Sequence, residues 1–332
     1  MLKTHKTYKV FALLLSILLL LGISDKTKGL STVNKIKDTT AAYSVVDYEG
    51  TVITLPHKPK HILTLSLSFD IMTLGIVPPE YLVAANKMAN DPGISCIANE
   101  TKDIKTKLYS YPLETVVKLN PDLIIASTWT DKQMVNAYRD LGYPVLVCKG
   151  PNTIEEVEKT IMTIAVALGE KQAGNKIIGI MQEKLKKIDQ VVAAQRNKKP
   201  VGLLVSQMTS YGGKGCMFDV LCTRAGVING IAKMGINNGQ PVTKEMVIAC
   251  KPDFFMLSAP RSQSGDTTQK AQEEYINDPA LKELKGIRHT MFIPDRYLYS
   301  STQNCVYAIE SIANAAYGPI FDLSDEKLIK GY

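Results

Sequence analysis

A thirteen-residue pattern occurs twice in this chain, and it constrains the fold more than any other feature. Residues 114–126, from Glu114 through Pro121 and Asp122, run on into Ser127. Residues 245–257, from Glu245 through Pro252 and Asp253, run on into Ser258. The offset is constant at 131 residues, and Glu, Val, Pro, Asp and Ser fall at the same steps. Each copy reads as a short amphipathic helix, a Pro-Asp turn and an apolar strand. A solenoid needs three or more short-period repeats, whereas a unit repeated once, half a chain apart, predicts two similar lobes. Two lobes make a cleft, and clefts between domains are preferred ligand sites.

The bulk numbers agree with this. A length of 332 residues fits about two domains, and 45% hydrophobic with 21% charged residues is ordinary for a globular chain. Residues 1–30 are different in kind. Lys3, Lys6 and Lys9 precede an apolar run over 10–23, which has the length of a signal-peptide core and is short for a membrane span. The expectation is export by a signal peptide at 1–30, followed by a polar linker at 31–42. The first cysteine is Cys96, so a lipid-modified N-terminus is not supported. The formal charge of +7 falls to +3 without residues 1–30, which hold five Lys and one Asp. No basic stripe with interleaved aromatics occurs, so nucleic-acid binding is not expected. Six scattered cysteines show no CxxC and no Cys/His metal spacing. Cys148 and Cys250 sit in apolar stretches and read as core residues; Cys216 and Cys222 are the nearest pair for a disulfide in an exported chain.

Along the chain, residues 43–55 alternate around Glu49-Gly50 as a hairpin, and 61–66 reads as a buried strand. Further strands are expected at 81–85, 123–126, 144–148, 201–205 and 290–294. Helices are expected at 69–75, 113–119, 132–141, 153–168, 218–225 and 302–317, several closed by Gly. Strands alternating with helices imply βαβ units and mainly parallel sheets. A long helix from 170 to about 196 follows Gly169, with Ile177, Ile180, Met181, Leu185, Ile188 and Val192 on one face. The expected organisation is an N-terminal lobe at 43–168, a connecting helix at 169–197 and a C-terminal lobe at 198–332, joined once through that helix.

The order of these features resembles type III substrate-binding proteins of ABC importers, the iron-siderophore, cobalamin and haem family, over about residues 43–317. Its carriers are Val46-Asp47-Tyr48-Glu49-Gly50 with Leu55-Pro56, the strand from His61, the two Glu…Pro-Asp repeats, the long helix, and Tyr211-Gly212-Gly213 followed by Ala225-Gly226-Val227-Ile228-Asn229. The resemblance implies two Rossmann-like α/β lobes with mainly parallel sheets, joined by one long helix, with a ligand cleft between them. It implies partnership with an ABC permease and its ATPase subunits, a monomeric binding protein, a periplasmic or other extracytoplasmic location, no cofactor and no enzymatic activity. It also implies that Glu114 and Glu245, one per lobe, dock onto permease arginines. The duplication suits that role, because a carboxylate serving only the helix dipole need not recur at the same register in both lobes. These carboxylates are expected on a face opposite the ligand.

In open α/β sheets ligands lie beyond the carboxyl ends of the strands. Those ends supply Ser68, Lys87 and Trp129 in the first lobe, and Tyr211, Arg261, Arg296 and Tyr299 in the second. Arg296 and the tyrosines suit an anionic, aromatic-rich iron chelate, by charge and stacking. The expected cargo is an iron(III)-siderophore-type chelate, with a corrinoid (cobalamin) or haem as the alternative. No His/Asp/Glu cluster lies at the strand ends, so no bare metal ion is expected. His57, His61 and His289 lie away from those ends, and Trp129 is the only tryptophan. An enzyme on the same scaffold would need a nucleophile–base set or a phosphate loop. Gly212-Gly213-Lys214-Gly215 is not GxxxxGK[ST], and neither GxGxxG nor GxSxG occurs.

Overall fold

Two parallel sheets organise the chain, each built around one copy of the repeated unit. The computed structural model describes residues 41–195, 199–206, 208, 210–260 and 267–332. The expected signal segment at 1–30 and most of the linker lie outside the described residues, as does Arg261.

The chain opens with a hairpin, β1 (Tyr43–Val46) and β2 (Val52–Leu55), paired antiparallel. Its turn passes through Gly50 at φ 83°, a left-handed conformation that costs glycine little. The Asp47 carboxylate accepts from the Glu49 and Thr51 amides and pairs with Arg139 at 2.8 Å. The first lobe continues through β3 (Ile62–Thr64), α1 (Leu67–Ile76), β4 (Ala85–Asn86), α2 (Ala98–Thr101) and β5 (Lys107–Leu108). It ends with α3 (Leu113–Leu119), β6 (Leu123–Ser127), α4 (Lys132–Asp140) and β7 (Val145–Cys148). Strands β3, β6 and β7 form a parallel sheet in that order, and a bridge from Ile62 to Leu82 brings the approach to β4 alongside β3.

Helices α5 (Ile154–Ala167) and α6 (Lys171–Ala194) lead out of this lobe. The second lobe runs through β8 (Val201–Leu204), α7 (Met217–Arg224), β9 (Ile228–Asn229), α8 (Gly230–Lys233), α9 (Lys244–Cys250) and β10 (Phe254–Ser258). Then come α10 (Thr267–Ile276), β11 (Thr290–Ile293), α11 (Asp295–Leu298) and α12 (Cys305–Tyr317). Its sheet is parallel in the order β9-β8-β10-β11, in which β8-β10-β11 is the counterpart of β3-β6-β7.

The repeat is the same structure twice. Helices α3 and α9 each have seven residues, and each is closed by a non-glycine residue in the left-handed region, Asn120 (φ 46°) and Lys251 (φ 49°). Pro then prevents the helix from continuing. The repeated Asp ties the turn to the neighbouring strand. Asp122 accepts from the Lys60 and His61 amides at 2.8 and 2.9 Å, and Asp253 from the Val201 amide at 2.8 Å. The strands that follow, β6 and β10, are buried at all five residues. A strand covered on both faces reads as a continuous apolar run, as these do.

At 1.5 Å per residue the 24 residues of α6 span about 36 Å. Ile177, Met181, Leu185 and Ile188 are buried, while Ile180 and Val192 are only partly covered. The covalent link is single, but the lobes are joined a second time. The C-terminal segment returns to the first lobe, where the Gly331 amide donates to the Gly75 carbonyl at 2.8 Å and Lys330 pairs with Glu100 at 3.4 Å. On the way, the Ile329 amide donates to Asn304 Oδ1 at 3.2 Å. These non-covalent contacts add to the single covalent connection expected through the long helix, and one buried apolar cluster contains side chains of both lobes.

Three smaller expectations change. The strand at 81–85 shrinks to β4, because Pro78 and Pro79 start a tight 3-10 turn through Tyr81. Helix 302–317 begins only at Cys305, after a turn in which the Thr302 hydroxyl accepts from the Asn304 amide. The cysteines are all free, and Cys216 donates its thiol hydrogen to the Gly213 carbonyl rather than bonding to Cys222. Cys148 and Cys250 are buried, as their apolar surroundings indicate.

Candidate functional site

The carboxyl ends of both sheets converge on a cavity of about 290 Å³ between the lobes. The first lobe supplies Ser68 and Ile71 from α1, Met88 from the turn after β4, and Cys96; the second supplies Met208, Arg296, Tyr299 and Thr302. Ser66 caps α1 by accepting from the Phe69 amide, which leaves Ser68 in the first turn, with its hydroxyl 3.5 Å from that of Ser301 across the lobe boundary. That α1 starts here follows from the sequence, since Ser at the N-cap holds an otherwise unpaired amide.

Behind this wall lies a buried carboxylate. Asp70 on α1 accepts from the Thr64 hydroxyl and, at 2.6 Å, from the Asn86 amide. Burial pushes its pKa up to about 7, against the hydrogen bonds from Thr64 and Asn86 and the charge of Lys107. Asp70 thereby fixes β4 and the Lys87-Met88 segment beyond it. Asn86 is also tied to Tyr111 through its amide group at 3.3 Å.

Of the seven ligand residues expected from the sequence, the structure brings Ser68, Arg296 and Tyr299 into the cavity wall. Tyr211 stands behind Tyr299, with ring centroids 5.2 Å apart and planes tilted by 41°, and the Tyr299 hydroxyl lies 3.2 Å from that of Ser206. Lys87 and Trp129 do not line the cavity but sit exposed at strand ends of the first lobe. The Lys87 ammonium lies 4.9 Å from the centroid of the Tyr109 ring. The Trp129 ring covers Gly150, where any Cβ would collide with it. Arg261 lies outside the described residues.

Arg296 behaves differently from the expectation of a free cation awaiting an anionic ligand. Its Nε and Nη2 donate to Glu326 at 3.1 Å, Nη2 also to the Tyr297 hydroxyl, and Nη1 to the Pro92 carbonyl. Its backbone amide donates to the Gly93 carbonyl at 3.1 Å. A guanidinium presents five N–H donors in a fixed fork, and here protein acceptors take those of Nε and Nη2 and one on Nη1.

Glu326 and Asn304 line the cavity as well, and sequence reasoning missed them because they follow no strand. Tyr109 was missed because two-residue β5 leaves no periodic trace, although Tyr109 directly follows it. The Tyr211-Gly212-Gly213 motif proves to be scaffold. Asn229 donates to the Gly212 carbonyl at 2.8 Å, and a Cβ on Gly213 would stand 2.5 Å from the Asn237 backbone.

Glu114 and Glu245 are exposed in the first turns of α3 and α9. A side-chain hydrogen bond with Thr243 holds the Glu245 carboxyl below the usual range. Both lie on the ligand edge of their lobes, which corrects the expectation of an opposite face. Each helix runs antiparallel to the strand that follows it, so its start stands beside that strand's carboxyl end. Contacts agree: Tyr111, just before α3, reaches Asn86, and Gly239, just before α9, donates to the Ser210 carbonyl at 2.7 Å. Among the described residues no helix is long and apolar enough to cross a membrane, and no group of three His, Cys, Asp or Glu could hold a metal ion.

Comparison with known proteins gives three findings. The model of the family described as periplasmic binding protein matches residues 99–295. A putative ABC transporter substrate-binding lipoprotein, YhfQ of Bacillus subtilis (strain 168), is 24% identical over 269 residues, covering 74% of this chain and 79% of that protein. Among solved structures, the periplasmic haem-binding protein RhuT from Roseiflexus sp. RS-1 superposes with a TM-score of 0.68 at 21% identity, over 79% of this chain and 99% of that one. Helicobacter pylori CeuE with Ni(II) bound gives 0.65 at 18% identity, over 84% and 90%.

Proposed function

We infer the function from one premise: this chain belongs to the periplasmic binding protein family, whose model spans more than half its length. It is a substrate-binding protein of an ABC importer, it works outside the cytoplasm beside a permease and ATPase subunits, and what such proteins hold is cargo rather than a cofactor. Within that frame the cargo is read as an iron(III)-siderophore-type chelate, captured by a monomer that is not an enzyme. The observation carrying this is the cavity at the carboxyl ends of both sheets, with walls from both lobes. Its lining mixes Ile71, Met88 and Met208 with the hydroxyls of Ser68, Tyr299 and Thr302, which suits an apolar-skirted chelate with peripheral oxygens.

RhuT is described as haem-binding, and haem stays as the alternative. Its iron ligand would have to come from a Tyr, and Tyr299 lines the cavity whereas Tyr211 stands behind it. His289 precedes β11, at the far edge of the sheet. The docking role of Glu114 and Glu245 is part of the same reading, supported by their exposure beside the cleft.

Export is proposed through the signal-like segment at 1–30. YhfQ is named a lipoprotein, whereas the first cysteine here is Cys96. Partition of the whole protein between membrane and soluble fractions separates the two cases.

The single tryptophan offers the binding test, because Trp129 is exposed beside the cleft. Ferric trihydroxamate should quench its fluorescence saturably, and Ser68→Phe, which adds a ring to the cavity wall, should weaken binding by about tenfold or more. Equal affinity in the two proteins would contradict the assigned cavity.

A further inference from the structure

We propose that each docking glutamate has an apolar contact surface beside it, and that the permease meets it with an apolar side chain next to a cation; this rests on the docking reading above. The pairing recurs with the repeat. Val117 stands three positions after Glu114, and Ile248 three after Glu245, at the same offset of 131 residues. Positions three apart are neighbours on a helix surface, so each carboxylate has a branched apolar side chain at its flank. The core is served by other residues. Val116 and Val247, at matching steps of the repeat, are 0% and 1% exposed, whereas Val117 and Ile248 are 47% and 37% exposed. In α3 the surface widens, because Leu113 is also exposed and lies four positions before Val117, on the same face.

Local folding gives no reason for these residues. Val and Ile form helices less readily than Lys, Glu or Ala, and at a solvent-facing position of a seven-residue helix they gain little burial in return. A single exposed apolar side chain is ordinary on a protein surface, but contiguous apolar surface marks an interaction site. Here the same apolar position flanks the same carboxylate in both lobes. The carboxylate requires a cation from the partner, and the branched side chain requires an apolar contact. One such site per lobe requires a partner that offers the match twice. Both helices begin at the ligand edge, which is where cargo leaves, so the occupant is the importer's permease. Charge steers the encounter, and apolar burial then holds the complex.

The test uses the full chain and the importer's permease–ATPase complex in lipid nanodiscs. Affinity is measured at about 0.05 and 0.5 M salt, so that exposed charge pairs are screened at the higher value. Val117→Ser with Ile248→Ser should weaken binding by about tenfold or more at both salt concentrations. Glu114→Gln with Glu245→Gln should also weaken it, with a loss that shrinks at high salt. The apolar exchange Val117→Ile with Ile248→Val should bind within about twofold of the original chain, which separates loss of the contact from damage to the helices. Unchanged binding by the serine pair, with the glutamine pair weakened, would overturn the inference and leave the docking reading standing. Unchanged binding by both pairs would overturn both. An exchange variant as weak as the serine pair would overturn the inference. So would dimers of the original chain that the serine pair splits, because a second copy would then cover this surface.

Discussion

At the scale of single residues, buried carboxylates decide how the cleft is held. Asp70 is fully buried, and its raised pKa has a thermodynamic consequence with a definite sign. The unfolded chain releases this proton near pH 4 and the folded chain near pH 7, so between those values the folded state binds more protons. Stability from Asp70 is therefore complete below about pH 4 and is lost as pH rises toward 7. Asp70→Asn removes that titration. The stability of wild type minus that of Asp70→Asn should fall by a few kcal/mol, on the order set by 1.36 kcal/mol per pKa unit, as pH rises from about 4 to 7. Urea unfolding at several pH values measures it, and a pH-independent difference would contradict the assignment. None of this is written locally in the sequence. Asp70 sits mid-way along an apolar stretch, and its partners Thr64, Asn86 and Lys107 are up to 37 positions away. The repeated Asp122 and Asp253 were visible as a repeat, but their task of holding the start of the adjacent strand needed the sheet order to be known. Arg296 was visible as a strand-end cation; Glu326, thirty positions later, carries no local signal linking the two.

At the scale of elements, periodicity made most helices legible. Helices α3, α6 and α9, and strands β6 and β10, stand close to where apolar spacing and the Pro-Asp turns put them. Two-residue strands such as β4 and β5 are too short for alternation to register, and Lys87 and Tyr109 are offered from their ends. The direction of α3 and α9 matters most for function. Because each begins at the ligand edge, Glu114 and Glu245 stand beside the cleft, so a permease gripping both would face the cargo. Glu114→Lys with Glu245→Lys should abolish uptake in whole cells while leaving ligand affinity within about twofold. Normal uptake by the double variant would sink the docking role, and lost affinity would mean that the glutamates act on the cleft instead.

At the scale of the whole molecule, the lobes are held by more than a hinge. Helix α6 crosses between them, α12 packs in the shared core, and the C-terminal segment binds both sides. Packed interfaces of this kind resist large rotation, so closure on ligand should amount to a few degrees. Solution scattering with and without a bound ferric chelate should show a nearly constant radius of gyration; a large fall would contradict the strapped arrangement. The duplication that predicted two lobes is the part of this architecture that a sequence displays, since it preserves residue types at a fixed offset. The strap is not displayed, since it joins backbone amides of Gly331 and Ile329 to the Gly75 carbonyl and the Asn304 side chain, and Lys330 to Glu100, across long stretches of chain with no local pattern. The central claim, that the cavity between the lobes carries a ferric chelate, is tested most directly by purifying the protein from the extracytoplasmic fraction of iron-starved cells. Its visible spectrum and native mass are then recorded together. The account predicts one small complex per chain, with the broad charge-transfer band of a ferric chelate and a mass shift that disappears when the iron is removed. A haem Soret band, a corrinoid spectrum, or a metal-free adduct would contradict it.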